Sequence, residues 1–210
     1  MASLWILSCF TLIGVSVGSG VPASDLELSI TPRIIGGKDA LPGACPWHVS
    51  LVVFIHPDFN ATNAYSDIAL LKLGWPAHFD HTVYPVPLPS FDEYVRPLTF
   101  CKIFGFGYLY LNGTGCPKRL QEAIVPILRM SGCLRFMPGF IPHFMLCAGI
   151  QGIGIHSGDP GGSMVCRKNG IWTLTGILSS YDKDERILNP FVLTRVSKFI
   201  PWIKKIMANN

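Results

Sequence analysis

Three stretches of the chain carry apolar patterns that predict secondary structure. Pro46–Leu51 alternates apolar and polar side chains, which predicts a strand with one buried face. Asp67–Leu73 begins with alternation and continues as an apolar run, which is typical of a buried strand. Near the carboxyl end, residues 199–208 carry an apolar stripe at helical spacing, which predicts an amphipathic helix. The stripe consists of Phe199, Trp202, Ile203 and Ile206.

The composition favours a compact protein built mainly of strands. The chain has 210 residues and 49% hydrophobic content, which suits a single folded unit. Its 21 glycines and 17 prolines are spread along the sequence and favour short strands joined by turns. The net charge of +4 includes no dense block of Lys or Arg, so no nucleic-acid partner is expected. These features predict an all-β fold with one helix at its end.

The amino end has the features of a secretory leader. Leu4–Val17 is apolar but too short to span a bilayer, and it ends in small residues. Residues 1–18 are therefore predicted to be a signal peptide cleaved after Gly18, although the first residues lack the usual Lys or Arg. No second apolar stretch is long enough for a membrane span. The sequence predicts a secreted, extracellular protein.

Cysteines and glycosylation motifs agree with that compartment. Of seven cysteines, Cys9 lies in the predicted leader, which leaves six for disulfides. A zinc site would need CxxC or HxxxH spacing, and neither occurs, so we expect no metal and no cofactor. Asn60 and Asn112 each begin an N-glycosylation sequon.

Three motifs carry a resemblance to a known family. Gly158–Ser163 reads Gly-Asp-Pro-Gly-Gly-Ser and is followed by Met-Val-Cys, Arg33–Gly37 reads Arg-Ile-Ile-Gly-Gly, and Asp67–Leu73 lies between them. Together they resemble the chymotrypsin-like serine proteases. The resemblance implies a double antiparallel β-barrel followed by a terminal helix. It also implies that residues 19–33 are a propeptide and residues 34–210 are a peptidase-like domain.

The resemblance covers the second half of that domain better than the first. A truncated first barrel is expected over 34–97 and a second barrel over 98–198. In the family, several strands and a catalytic His separate the first strand from the catalytic Asp. Here Val53 runs directly into Phe54, and the His-bearing segment is absent. Because a truncated barrel exposes sheet edges, we expect the second half to be the more stable.

The nucleophile position is also altered. The family's motif reads Gly-Asp-Ser-Gly-Gly-Pro, so Pro160 stands where the Ser nucleophile belongs. The family's oxyanion hole uses the N–H of that residue and the N–H of the Gly at position 158. Proline has no side-chain nucleophile and no N–H, so one substitution removes both functions. Asp67 matches the catalytic Asp and is interpreted as a remnant of the triad.

The activation site of the family is retained in sequence. Cleavage after Arg33 would free an amino terminus at Ile34, which in the family pairs with the Asp beside the nucleophile, here Asp159. This pair would act as a zymogen switch. The alternative is that these residues persist as relics of ancestry.

The resemblance further implies disulfides and a substrate pocket. It pairs Cys101 with Cys166 and places Cys133 and Cys147 at the ends of a closed loop. Two cysteines outside this pattern could pair with each other; they are Cys45 and Cys116. The pocket is expected to be closed, because it has lost a disulfide cysteine at position 156 and gained bulky residues. The pocket positions are Gly154, Tyr181 and Phe191.

Three functions fit these observations. The leading hypothesis is a secreted homologue that lacks peptidase activity and binds a protein partner whose identity the sequence does not give. The second is an endopeptidase with rearranged machinery, in which Ser157 or Ser163 is the nucleophile and His156 the base. The third is a splice product or degenerate product with no function of its own.

Overall fold

The computed structural model describes the backbone of residues 5–8 and 51–210, except 75, 109–114, 116, 137–140, 157 and 181–189. These residues form two antiparallel sheets and two helices. The strands are β1 (Trp5–Ser8), β2 (Leu51–Ile55), β3 (Ala69–Leu73), β4 (Phe100–Gly105), β5 (Gln121–Pro126), β6 (Met145–Ala148), β7 (Ser163–Lys168), β8 (Ile171–Ser180) and β9 (Phe191–Arg195). The helices are α1 (Met130–Phe136) and α2 (Val196–Asn209).

The larger sheet is the second barrel that the sequence predicts. Its strand order is β5-β4-β7-β8-β9-β6, and every neighbouring pair is antiparallel. A bridge between Ile127 and Ala148 joins the two end strands, and the Leu128 amide donates to the Cys147 carbonyl at 2.9 Å. All six strands lie between residues 98 and 198, so the expected all-β second half is confirmed.

Alternation along the strands builds the interior of this barrel. Cys101 and Ile103 on β4 are buried, while Phe100 between the loop and Cys101 is exposed. Their buried neighbours on other strands include Val125, Met164 and Leu193. Because side chains alternate across a strand, one face of each strand fills the barrel and the other faces outward.

The smaller sheet corresponds to the truncated first barrel. Its order is β1-β3-β2, with antiparallel pairing throughout and strands of four or five residues. The buried run predicted at Asp67–Leu73 is confirmed as β3, which begins two residues later at Ala69. The strand predicted at Pro46–Leu51 lies outside the described residues except for Leu51, where β2 begins. β1 belongs to the predicted leader.

Helix α2 begins at Val196, three residues before the expected start. Val196 and Ser197 are buried and pack with the apolar stripe against the outer face of the barrel. Pro201 lies inside the helix and has no N–H to donate to the Ser197 carbonyl one turn earlier. The Asp92 amide donates to that carbonyl instead, at 3.4 Å. A contact from outside the helix thus compensates the internal proline.

Helix α1 lies in the loop between β5 and β6 and was not predicted. Its Cys133 forms a disulfide with Cys147 on β6, and both residues are buried. The two cysteines are 14 positions apart, and the sequence gives a weak helical signal, since Gly132 lies within the seven-residue helix. Within the described residues, neither helix is long and apolar enough to cross a membrane.

Candidate functional site

The turn between β6 and β7 is built around the Asp159 carboxylate. Its Oδ1 accepts a hydrogen bond from the Gly107 amide at 2.8 Å, and its Oδ2 accepts one from the His156 amide at 2.8 Å. A Cβ atom on Gly105 or Gly107 would collide with this carboxylate. Gly105 at the end of β4 and Gly107 just after it therefore make the space that the Asp159 side chain occupies.

Pro160 follows in the same turn and is partly buried. The Asp159 amide donates to the His156 carbonyl at 3.0 Å, and the Gly162 amide donates to the Asp159 carbonyl at 2.8 Å. The Gly161 amide donates to Leu178 on β8 at 2.8 Å. The turn is thus fixed to the barrel on both sides of Pro160. This residue brings neither an oxygen nucleophile nor an N–H donor to the position.

Two glycines flanking Pro160 adopt backbone angles that favour glycine. Gly158 has a φ of +96° and is exposed, while Gly161 has a φ of +92°. Gly162 has no room for a side chain, because a Cβ atom there would collide with the Phe104 carbonyl. The glycine pattern of the motif is therefore required by the shape of the turn.

Ser163 lies at the start of β7. It pairs with Ile177 on β8 and is partly buried. The two hydrogen-bonded glycines Gly161 and Gly162 separate it from Pro160. Ser157, the other serine of the rearranged mechanism, lies outside the described residues.

Asp67 lies two residues before β3 and is buried, with 5% of its surface exposed. The Ser179 hydroxyl on β8 donates to Asp67 Oδ2 at 2.6 Å. The Thr194 hydroxyl on β9 donates to the Asp67 main-chain carbonyl at 2.7 Å. A buried carboxylate needs such donors, because removing it from water is costly. These bonds fasten the start of β3 to two strands of the barrel.

His56 follows β2 and packs against the terminal helix. Its ring centroid is 5.1 Å from that of Phe199 and 4.9 Å from that of Trp202. Its Nδ1 accepts a hydrogen bond from the Asp58 amide at 3.2 Å. Burial lowers the pKa of His56 below its ordinary value, and the nearby Asp58 carboxylate opposes this by raising it. These contacts give His56 a packing role.

The other histidines lie in different surroundings. His156 is partly buried near the Asp159 turn, and its ring centroid lies 5.5 Å from that of Tyr108 in an edge-to-face arrangement. His143 is exposed and packs on Phe144 at 4.6 Å. The exposed segment between β3 and β4 contains His78 and His81. His48 lies outside the described residues.

The remaining predicted positions fall into two groups. Within the described residues, Gly154 is exposed, and Phe191 is fully buried on β9 in the interior of the barrel. The predicted disulfides Cys101–Cys166 and Cys133–Cys147 are both present. Asn60 is exposed, and its side-chain oxygen accepts a hydrogen bond from the Thr62 amide at 2.9 Å. The positions outside the described residues are Arg33, Ile34, Cys45, Asn112, Cys116 and Tyr181.

Sequence reasoning missed the partners of the two aspartates. Ser179 lies on β8, and its hydroxyl donates a hydrogen bond to Asp67 across 112 positions of sequence. Gly107 bonds Asp159 across 52 positions. No local pattern marks such long-range pairs. The only signal was the resemblance itself, which aligned both segments with the family.

The comparison with known protein families agrees with the geometry. A family model described as Trypsin matches residues 50–203, which is nearly three quarters of the chain. The match includes Asp67, the Pro160 turn, both disulfides and most of helix α2. The chain therefore belongs to the trypsin family of chymotrypsin-like serine proteases.

Proposed function

We propose that this trypsin-family protein is a secreted homologue that lacks peptidase activity and acts by binding another protein. The observation that carries the proposal is Pro160, held in a turn that is hydrogen-bonded to the barrel on both sides. Peptide hydrolysis by this family's mechanism needs a nucleophilic oxygen, a base and donors for the oxyanion. Pro160 supplies neither a nucleophilic oxygen nor an N–H donor for the oxyanion.

The geometry around Asp67 supports the same conclusion for the base. In an active relative, this Asp would orient a His that takes the proton from the nucleophile. The sequence lacks the segment that carries that His, and β2 runs without interruption from Leu51 to Ile55 across the place where it would be inserted. Asp67 has a structural role instead. The Ser179 hydroxyl donates to its carboxylate, and the Thr194 hydroxyl donates to its main-chain carbonyl.

Loss of one oxyanion-hole donor alone typically lowers turnover by about 100-fold or more. Loss of the nucleophile removes the covalent pathway. The lost donor and the lost nucleophile both belong to the same reaction. We therefore propose that the protein has no measurable serine peptidase activity, whether or not the chain is cleaved after Arg33.

Labelling with a fluorophosphonate tests this proposal. The protein is cleaved after Arg33, and its folding is verified by intact mass with both barrel disulfides formed. We expect labelling at background level, equal to that of a Ser163→Ala control, while active trypsin labels fully. Stoichiometric labelling that Ser163→Ala abolishes would overturn the proposal in favour of the rearranged endopeptidase.

Secretion and glycosylation form a second part of the proposal. The two disulfides fit an oxidising compartment. Exposed Asn60 lies in a turn that leaves its sequon at the surface. Expression in a secreting cell line should give a protein in the medium that begins at Ser19 and loses mass on treatment with an N-glycosidase. A protein retained in the cytosol would contradict this part.

Exposed apolar side chains in the segment that connects β3 to β4 support the binding role. The segment from 79 to 100 exposes many large apolar side chains, and large exposed apolar patches often mark interaction sites. Among them are Phe79, Tyr84, Phe91, Tyr94, Leu98 and Phe100. The proposal of a protein partner rests on this exposure together with the lost chemistry.

A further inference from the structure

The outer edge of β3 is filled by a strand from the predicted leader. β1 pairs antiparallel with β3, with Trp5 opposite Lys72 and Ser8 opposite Ala69. β2 occupies the other edge. β3 is therefore the central strand of three. Removal of residues 1–18 would take β1 away and leave the main-chain groups along one edge of β3 without their partners.

β3 is held in place by contacts that do not involve β1. Ile68 and Leu70 are buried in a cluster with helix α2 and the outer face of the barrel. Asp67, just before the strand, is bonded by Ser179, and the Lys72 ammonium donates to the main-chain oxygen of Asn210 at the end of α2. A strand fixed at both ends and on one face stays extended when a neighbour leaves. An edge that is already ordered loses less entropy on binding.

The sequence of β1 indicates which kind of segment this edge takes. β1 reads Trp-Ile-Leu-Ser, has no charge and lies in an apolar run. The paired stretch of β3 reads Ala-Leu-Leu-Lys-Leu and carries the single charge of Lys72. In strand addition, main-chain hydrogen bonds give affinity and alternate side chains give specificity. The matching segment is extended, uncharged and rich in large apolar residues.

A second copy of the chain fits this edge poorly. Opposed residues of an antiparallel pair lie on the same face of a sheet, so two β3 strands paired with each other would place both buried faces on one side. Each β3 packs its Leu70 face on its own helix α2. Strands lie about 4.8 Å apart, whereas a helix with side chains is about 10 Å wide. In a second copy, the helix that packs on this face would therefore approach the first copy's helix.

We propose that the outer edge of β3 is a strand-acceptor site. In the uncleaved chain β1 fills it, and removal of the leader opens it to an extended, uncharged apolar segment of a partner protein, which adds antiparallel to Ala69–Leu73. This inference depends on the backbone pairing of β3 and on cleavage of the leader. It does not depend on the chemistry at Pro160, so its failure leaves the labelling test above unaffected.

Hydrogen–deuterium exchange tests the site on refolded chains that all carry Cys9→Ser. The chains are residues 1–210, the same chain with Leu7→Pro, a matched control with Ala2→Pro outside β1, and the processed chain 19–210. Leu7→Pro removes an amide and disrupts the pairing opposite Leu70. Amides of β7 and β8 report that the barrel is folded in every chain.

We expect the β3 amides that point towards β1 to exchange at least about tenfold faster in the Leu7→Pro chain and in chain 19–210. The comparison is with chain 1–210 and with the Ala2→Pro control. A peptide of residues 2–11 with Cys9→Ser, added in excess to chain 19–210, should restore protection, and its Leu7→Pro version should not. Equal exchange of β3 in all folded chains would overturn the proposal, as would a peptide without effect. Protection that appears without peptide and rises with protein concentration would overturn it in favour of a second copy.

Discussion

The two sheets of this protein differ in how completely they are closed. The barrel has six strands joined into a ring by the Ile127–Ala148 bridge, an interior of fully buried side chains and two disulfides. The smaller sheet has three short strands, and within its described residues there is no disulfide. On β2, Ile55 leaves 54% of its surface exposed.

The comparison distinguishes residues with a structural role from residues with only a catalytic role. The barrel keeps the glycines, the aspartate and the cysteines that shape its turn, because each has a packing or hydrogen-bonding role there. Asp67, just before β3, has a structural role as well, because its carboxylate accepts a hydrogen bond from Ser179 on the barrel and so connects the smaller sheet to the barrel. On the proposed function, the positions that have changed are those with only a catalytic role, the nucleophile position at Pro160 and the His-bearing segment.

The largest expected effect concerns the disulfides of the barrel. Replacing Cys101 and Cys166 together by Ser should lower the free energy of unfolding by about 4 kcal/mol, because the bridge closes a loop of 65 residues. Replacing Cys133 and Cys147 should cost about 3 kcal/mol, since that loop has 14 residues. Urea unfolding followed by tryptophan fluorescence measures both. Equal midpoints for the first double variant and the wild type would contradict the expectation.

Limited proteolysis of the refolded wild type checks the same comparison directly. The barrel half, from about residue 98, should survive as the resistant fragment. Survival of the amino-terminal half as the resistant core would mean that the smaller sheet is the more stable region.

A smaller effect is expected at the junction of the two sheets. Ser179→Ala should destabilise the protein by about 2 kcal/mol, because Asp67 loses a donor to its buried carboxylate. Thr175→Val is a matched control, since the Thr175 hydroxyl donates to Thr173 on the same strand, and about 1 kcal/mol is expected. Urea unfolding measures both variants. Faster proteolysis within 51–73 should accompany Ser179→Ala, and equal cleavage in both variants would argue against a junction role.

Pro160→Ser tests whether a Ser at the nucleophile position is enough to restore reactivity. We expect fluorophosphonate labelling to stay at background, because the proposed function includes no base in the smaller sheet. The free energy of unfolding should change by less than about 1 kcal/mol, the usual range for a proline in a compatible turn. Mass spectrometry locates any label, and stoichiometric labelling at position 160 would show that a base is available after all.

The smallest effect concerns pH and the contact between β2 and helix α2. Burial lowers the pKa of His56 from 6.5, so the unfolded chain binds the proton more readily than the folded one. The contribution of neutral His56 to stability is therefore complete above pH 6.5 and declines as the pH falls through the lowered folded pKa.

Thermal unfolding between pH 8 and pH 5 measures this contribution. The midpoint of the wild type should fall more with acidification than that of His56→Asn, which keeps a polar side chain and does not titrate. Parallel curves for the two proteins would show that the pKa of His56 contributes nothing to the pH dependence.

The sequence predicted the barrel well because its signals are local. The glycines near Pro160 and the disulfide cysteines lie within short motifs that the family resemblance aligns, and the structure contains the corresponding turn and bridges. The buried strand at Asp67–Leu73 was also predictable, since an apolar run of that length needs a partner on each face.

The features that were missed depend on contacts distant in sequence. Ser179 lies on β8 and reaches Asp67 only after both halves have packed. The early start of α2 depends on burial of Val196 against the barrel, and Pro201 within it is tolerated because the Asp92 amide takes the free carbonyl. The pairing of β1 with β3 joins residues more than 60 positions apart, where no local pattern applies.

The packing of β3 on helix α2 sets an order of events during synthesis. Leu70 is buried against residues 196–206, which leave the ribosome long after β3 does. Domains usually fold from the amino end as the chain emerges, but this strand has no completed core until helix α2 has emerged. β2 and β3 therefore stay exposed until helix α2 has been synthesised. We expect nascent chains stalled before Val196 to bind holdase chaperones through Leu51–Leu73, and release from the chaperone to require the terminal helix.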